Sequence, residues 1–410
     1  MKNQRAIWVA TLLCSAAMAP FNSRAFDAGS DGSYGALNIT TVGTNLVTMP
    51  ADGVFRCTTI NVATNCTLIF APNALNTPVY LLAQSNIVIN GIIAVSGADG
   101  QASGATSVAG PGGFGGGSFG TASTVAAGAG QGPGGSISNL PANFFQNGAS
   151  FGTLGYGGST GASTNYGNLL LVPLIGGSGG SGLQGINSYA GASGGAGGGA
   201  ILLASSTNVT VNGSILARGG NGFYNGFVTS GGGSGGAVRI VSPTVSVLGT
   251  INVSGGTNST IANCYGGNGR VRIDTTTSVS ANVIGNGKGT PFAPIVSYGR
   301  SLFTGLPSPA SPQLYFVTVA GTNILAGTNN YVTLGAGNST NQVVTLCGTN
   351  FLGTVPVQIV ATPVNGTPFT TNIVLSFPSP NILVSTNVTI NIPLGIATQL
   401  NAYANYGVQP

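Results

Sequence analysis

Two arginines, Arg239 and Arg272, occupy the same slot in two similar segments, Val238-Arg-Ile-Val241 and Val271-Arg-Ile-Asp274, with Arg270 close by. Alternation of apolar and other residues puts both guanidinium groups on the side opposite Val238, Ile240, Val271 and Ile273. If the segments stack, Arg239 and Arg272 form a column on an outer face, with Arg270 nearby. Planar guanidinium groups there would grip carboxylates or sulfates of an acidic polysaccharide through bidentate hydrogen bonds. The plainer reading is that outward slots take polar residues and that Asp274 offsets Arg272.

The acids are few: Asp27, Asp31, Asp52, Asp99 and Asp274, with no Glu and no His in 410 residues. Without His there is no Ser–His–Asp or Cys–His nucleophile and no His-ligated zinc or haem. A pair of catalytic carboxylates of the glycosidase kind would have to come from these five. Asp31-Gly32, Asp52-Gly53 and Asp99-Gly100 offer oxygen ligands of the kind Ca²⁺ takes, yet Asp-Gly is also an ordinary turn signal. Cys57 and Cys66 are near enough in sequence to be a candidate disulfide, while Cys264 and Cys347 are expected free or buried. None of the glycine-rich runs is followed by the Lys-Ser or Lys-Thr of a phosphate-binding loop. No cofactor or metal is expected.

What would position these residues is a repeat. Val79-Tyr-Leu-Leu-Ala83 is followed by Ile87-Val-Ile-Asn-Gly91-Ile-Ile-Ala-Val-Ser-Gly97, and Ile201-Leu-Leu-Ala204 by Val209-Thr-Val-Asn-Gly213-Ser-Ile-Leu-Ala-Arg-Gly219. Val238-Arg-Ile-Val241 is followed in turn by Val245-Ser-Val-Leu-Gly249-Thr-Ile-Asn-Val-Ser-Gly255. Partial copies flank them, one through Ile60, Val62, Cys66 and Leu68, the other through Val271–Asp274 with Val279, Ala281 and Val283. Period-two apolar runs broken by Gly fit two structures. One is a hairpin turning at Asn90-Gly91 and Asn212-Gly213. The other, favoured by the repetition, is a parallel β-helix in which each copy is a rung and Gly marks a corner.

Glycine-rich runs opening into strands, Gly194-Gly-Ala-Gly-Gly-Gly-Ala-Ile-Leu-Leu203 and Gly231-Gly-Gly-Ser-Gly-Gly-Ala-Val-Arg-Ile-Val241, resemble the bacterial secreted glycine-rich parallel β-helix proteins, many of them adhesin-like. The opening Phe26-Asp-Ala-Gly-Ser-Asp-Gly-Ser-Tyr-Gly-Ala-Leu37 resembles the start of such exported chains. That resemblance covers about residues 26–290. It implies an architecture and supplies no catalytic residues.

Between about 97 and 200 roughly a third of the residues are Gly. Small side chains bury little area and Gly loses the most entropy on ordering, so composition alone suggests a flexible linker. Phe114, Phe119, Phe144, Phe145, Phe151, Tyr156, Tyr166 and Tyr189 argue instead for long loops pinned loosely against the β-helix by their rings. Residues 301–313, rich in Pro, read as a linker. Beyond it, over 314–410, short strands are expected at Leu314–Thr318, Tyr331–Leu334, Gln342–Leu346, Val355–Ala361, Phe369–Ser376, Ile382–Ile392 and Gln399–Tyr403, which suggests an immunoglobulin-like β-sandwich.

Residues 1–25 read as a signal peptide: Lys2 and Arg5, then an apolar stretch from Ala6, then Ser23-Arg24-Ala25 before Phe26. The stretch falls short of the roughly 20 residues that span a bilayer. Removing it leaves seven basic against five acidic side chains, so the charge offers nothing for nucleic acid. The expectation is an all-β, secreted or cell-surface, non-enzymatic structural or adhesin-like protein, with extracellular glycans, a cell surface or further copies of itself as partners. The alternative is a β-helix polysaccharide lyase or glycosidase. A third reading, ice or mineral binding, lacks a regular outward Thr ladder in the copies.

Overall fold

The computed structural model describes residues 26–404 apart from 103–105, 121–126, 138–145, 158–163, 186–189, 225, 227–228, 258–263, 287–292, 307–311, 325–331, 336, 350, 352 and 378–382. All the regular structure among them is β. No described helix is long and apolar enough to cross a membrane.

The first part of the chain repeats a group of two or three short strands, each group termed a circuit below. The opening circuit is β1 (Gly35–Ile39) and β2 (Gly43–Thr48). Next come β3 (Val54–Val62) and β4 (Cys66–Ala71), then β5 (Val79–Ala83), β6 (Ile87–Ile89) and β7 (Ile92–Ala94). After the glycine-rich region follow β8 (Ala200–Ser205), β9 (Asn208–Val211) and β10 (Ser214–Leu216), then β11 (Ala237–Val241), β12 (Thr244–Val247) and β13 (Thr250–Asn252). Last are β14 (Arg270–Asp274), β15 (Asn282–Ile284) and β16 (Ile295–Gly299). Every pairing among these strands is parallel, along three ladders: β3-β5-β8-β11-β14-β16, β1-β3-β6-β9-β12 and β2-β4-β7-β10-β13-β15.

The repeat written in the sequence is the register of the ladders. Val79, Ile201, Val238, Val271 and Val296 stand side by side, and so do Ile93, Ile215, Ile251 and Val283. These rows point into one continuous apolar core. β6 and β7 belong to different ladders and do not pair, so Asn90-Gly91 is a corner and the hairpin reading is wrong. The template Gly has a steric cause. A Cβ on Gly213 would lie 1.9 Å from the Gly91 carbonyl oxygen, and one on Gly249 would lie 1.8 Å from that of Gly213. Stacked corners approach too closely for any side chain.

The glycine-rich region differs from the loose loops expected. It leaves the circuits after β7 and returns at β8. The shorter segments between β10 and β11 and between β13 and β14 leave by the same corner and join it. Gly177, Gly180 and Leu183 donate backbone hydrogen bonds to the carbonyls of Gly198, Gly195 and Ala192, every third residue descending by three. Gly176, Gly179 and Gly182 donate to a second neighbour, at Gly112, Gln131 and Gly128, and Ser181 to a third, at Asn147. Ser193, Ala196 and Gly199 likewise donate to Gln101, Ala98 and Val95. A period of three is that of an extended polyproline-II-type helix, which makes no internal hydrogen bonds and presents its amides to neighbours all round. The region is therefore a bundle of such segments, linked backbone to backbone.

Contacts this close exclude Cβ atoms: one on Gly130 would lie 1.7 Å from the Gly179 oxygen, and one on Gly256 would lie 1.7 Å from that of Gly220. Of the rings expected to pin the region, Phe151 is fully buried against Tyr166, Phe114 meets Tyr403, and Tyr156 is exposed. Phe144, Phe145 and Tyr189 lie outside the described residues.

The C-terminal part has two antiparallel sheets. One is built from β17 (Gln313–Val319), β18 (Thr322–Asn323), β19 (Asn341–Thr349) and β22 (Val384–Asn391). The other contains β20 (Gly353–Pro363), β21 (Phe369–Phe377) and β23 (Thr398–Ala404). Val344, Leu346, Val388 and Ile390 of the first share a core with Val355, Val357, Ile359, Leu375 and Phe377 of the second. Six of the seven expected strands form. The seventh, at 331–334, does not: Val332–Leu334 carry no strand, and Tyr331 lies outside the described residues.

Candidate functional site

The arginine column forms, but under cover. Arg239 in β11 and Arg272 in β14 are direct cross-strand partners. Both point away from the core inside the circuits, as alternation requires. That side carries a second apolar layer of Tyr80, Leu82, Leu202, Ala204 and Val241, closed over by Phe151, Leu171 and Leu174. Arg239 is 3% exposed and Arg270 is 8% exposed. Arg239 Nη1 donates to the Thr304 carbonyl at 2.6 Å, and Nη2 donates to the Phe303 carbonyl and lies 3.4 Å from Asp274 Oδ2. Arg272 holds the other oxygen, Asp274 Oδ1, through Nε at 2.9 Å and Nη2 at 2.6 Å. Arg270 Nε donates to the Tyr166 carbonyl at 3.1 Å, and its guanidinium lies 5.7 Å from the Phe151 ring centroid.

Each guanidinium is thus committed to the protein's own groups, and the outer-face position expected from alternation is corrected to an interior one. Burial pulls the Arg239 pKa down while Asp274 pulls it back up, and an arginine remains charged throughout. A signal for the covering layer was present in the sequence: Val79–Ala83 and Ala200–Ala204 are apolar at every position, the mark of strands buried on both faces.

Asp274 is 1% exposed, so its meeting with two arginines holds the 303–304 segment down and opens to no groove. Three of the other carboxylates serve local turns, while Asp99 instead ties its loop to the distant Asn221. Asp27 accepts from Gly29 N–H, Asp31 from Ser33, Asp52 from Val54 and Asp99 from Asn221. Gly32 and Gly53 adopt φ of +75° and +73°, which is what Asp-Gly turns need. Hydrogen bonds from the Ser33 hydroxyl and N–H hold Asp31 below the usual carboxylate range. Asp52 is pushed up by burial but more strongly down by Val54 N–H and Arg56, and ends below that range. Among the described residues no three His, Cys, Asp or Glu come together.

Cys57 and Cys66 are both free and buried in the inner core, so the candidate disulfide is not formed. The sequence separation is short, but Cys57 stands beside Ala83 in the first ladder and Cys66 beside Gly43 in the third, with corners between. Cys264 and Cys347 are also free and buried, as expected. Burial pushes the Cys57 thiol up to about 11 and Cys264 to about 12, which leaves neither reactive at neutral pH.

A cleft that could receive a ligand went unread in the sequence, because it lies between parts distant along the chain. The sandwich sits on the glycine bundle: Gly366 bridges to Gly128, and the Phe114 and Tyr403 rings meet at 6.0 Å. Beside this contact is a cleft of about 280 Å³, whose polar groups come from Thr106, Ser118 and Gln131 on the bundle and Thr362, Thr398 and Gln399 on the sandwich. No ionisable side chain lines it. Hydroxyls and carboxamides that both donate and accept suit a neutral, hydroxyl-rich ligand and cannot transfer protons at neutral pH. Compared with known protein families, characterised proteins and solved structures, the chain matches none.

Proposed function

We propose that the chain is an exported, non-enzymatic structural or adhesin-like protein of the cell surface or extracellular matrix. In this reading its circuits form a parallel β-helix, the C-terminal sandwich is immunoglobulin-like, and the cleft between bundle and sandwich takes a neutral glycan. The observation that carries the reading is how the carboxylates are used. Four serve local turns or exposed loops and the fifth is sealed in an ion pair, while the cleft has hydroxyls and amides only. In-register rows from Val79 to Val296 support the β-helix, and two sheets of four and three strands support the sandwich type. The signal-peptide-like pattern of residues 1–25 supports export.

A second reading, a β-helix carbohydrate-active enzyme, is favoured by Asp274 meeting Arg239 and Arg272. Burial of all three weighs against it. The deciding experiment screens residues 26–410 against a glycan array, with polysaccharide degradation followed in parallel. We expect saturable binding, weakened about tenfold by Gln399→Ala through loss of one or two hydrogen bonds worth ~1 kcal/mol each. Product release that disappears in Asp274→Asn would replace this reading with the enzymatic one.

A further inference from the structure

The chain contains eight Asn-Gly pairs. An Asn side chain followed by Gly is prone to cyclise onto the next backbone nitrogen, because no Cβ obstructs the approach. Packing sets the pairs apart. After Asn90, Asn147, Asn212, Asn221 and Asn268 the glycine is walled in: a Cβ on it would lie within 2.3 Å of a carbonyl oxygen. Gly91, Gly148, Gly213 and Gly269 also commit their amides to the carbonyls of Val62, Tyr156, Ile89 and Val253. Ring closure there requires opening the ladders or the bundle. Asn225-Gly226 and Asn286-Gly287 each include a residue outside the described ones. Asn365-Gly366 differs. It is half-buried in the turn between β20 and β21, and the Cβ position of Gly366 has only Pro363 Cγ near it, at 3.9 Å.

That same turn is where the sandwich rests on the bundle. Gly366 bridges to Gly128, and the Val364 carbonyl oxygen lies 2.6 Å from the Cβ position of Gly128. The Asn365 carboxamide turns its nitrogen toward the acceptors around it. The nitrogen lies 3.2 Å from the Phe119 carbonyl oxygen and 3.3 Å from the Ser118 hydroxyl, both on the bundle, and 3.1 Å from the Val364 carbonyl oxygen. A carboxamide donates to such a set, whereas a carboxylate only accepts. No cationic side chain lines the adjoining cleft to offset a negative charge.

We propose that Asn365-Gly366 is a self-modifying latch, in which conversion of Asn365 to aspartate or isoaspartate releases the sandwich from the glycine bundle. The Gly366 nitrogen, its proton taken by hydroxide, bonds to Asn365 Cγ; the Cγ–Nδ2 bond breaks and the nitrogen leaves as ammonia. Water then opens the succinimide at either carbonyl, so amide and water become acid and ammonia with no further reactant. The new carboxylate has the Phe119 and Val364 oxygens set against it, and a half-buried charge so placed disfavours the closed joint. Cyclisation requires the carboxamide to leave Phe119 and Ser118, so its rate follows how often the joint opens locally. Arg239 still grips Thr304, which keeps the sandwich tethered. The chain from there to Gln313 reaches about 30 Å at most. This release is independent of what the cleft binds.

The test incubates residues 26–410 in mildly alkaline buffer and follows amide-to-acid conversion by peptide mass mapping, with small-angle X-ray scattering on the same samples. Conversion at Asn365 should run at least about tenfold faster than at Asn90, Asn147, Asn212, Asn221 or Asn268, since a turn opens locally and a ladder does not. The radius of gyration should rise in step with it, while Cys347 and Cys264 stay protected from thiol reagents. Asn365→Asp should scatter as the opened molecule from the start. Asn365→Gln, whose longer side chain cyclises poorly, should not drift with time. Conversion no faster at Asn365 than at the five packed sites overturns the proposal. A fully converted parent that stays compact does so too, and that result needs neither variant to fold. Thiol labelling in step with the rise, or a drift in Asn365→Gln equal to the parent's, would trace the change to unfolding or to another site and sink the latch.

Discussion

Phe377 in the sandwich and Gly180 in the glycine bundle are both fully enclosed, and for opposite reasons. Phe377 meets Phe351 at 5.1 Å between ring centroids and fills the space between two sheets. Its contribution is the area it removes from water, about 1.5–3 kcal/mol for a side chain of this kind. Gly180 contributes by having nothing to remove. Its amide donates to the Gly195 carbonyl at 2.9 Å, and the space a Cβ would occupy is 2.2 Å from the Gly231 oxygen. The sandwich is thus stabilised by side chains between hydrogen-bonded sheets. In the bundle the hydrogen-bonded backbones themselves fill much of the interior, with small side chains such as Ser136, Ser178, Ser181, Ser230 and Ser234 buried among them.

Removing atoms should therefore harm one region and adding atoms the other. Phe377→Ala leaves a large cavity and should cost about 3–5 kcal/mol. Thermal unfolding followed by thiol labelling reports the two regions separately, since Cys347 lies in β19 and Cys264 lies beside the bundle, where its carbonyl accepts from Gly232. Early labelling of Cys347 with Cys264 still protected is the expected pattern. Simultaneous labelling would mean that the regions unfold as one unit and would dissolve the comparison.

Gly180→Ala should cost about 1–3 kcal/mol, the usual range for overpacking, since the neighbouring atoms are backbone and cannot rotate away. Here Cys264 should label first. A variant as stable as the parent would show that the bundle can expand locally and that its close contacts are not required.

How much of this was legible depended on whether the determinant was a pattern or a juxtaposition. The circuits were readable because Val209, Val211, Ile215 and their counterparts repeat with fixed spacing, and a row in the structure is a column in the aligned repeat. Six sandwich strands were readable from alternation. The bundle was not, because glycine composition is shared by flexible linkers. What distinguishes the two is a period-three partnership among segments such as 176–182, 192–199 and 95–101, and no side chain records which carbonyl an amide will meet. The arginine slot was right and its exposure wrong, because alternation says which way Arg239 points and says nothing of what Leu171 and Leu174 later cover. The cleft needs Gln131 and Gln399 brought together and had no local signal at all.

The smallest expected effect is also the sharpest contrast. Gly337, in the turn before β19, is exposed, and a Cβ there would meet nothing within 4 Å. Its φ is not in the left-handed range, so alanine fits the existing backbone. Gly337→Ala removes conformational freedom from the unfolded chain without adding a clash, which stabilises proteins by about 0.4–1 kcal/mol at compatible sites. The same substitution should then raise the stability of the sandwich and lower that of the bundle. Because the covalent change is identical, the difference in sign isolates the packing around the glycine from its intrinsic entropy. A melting temperature for Gly337→Ala below that of the parent would mean that glycine is needed for its backbone freedom in both regions, and the distinction drawn from Gly180 would lose its basis.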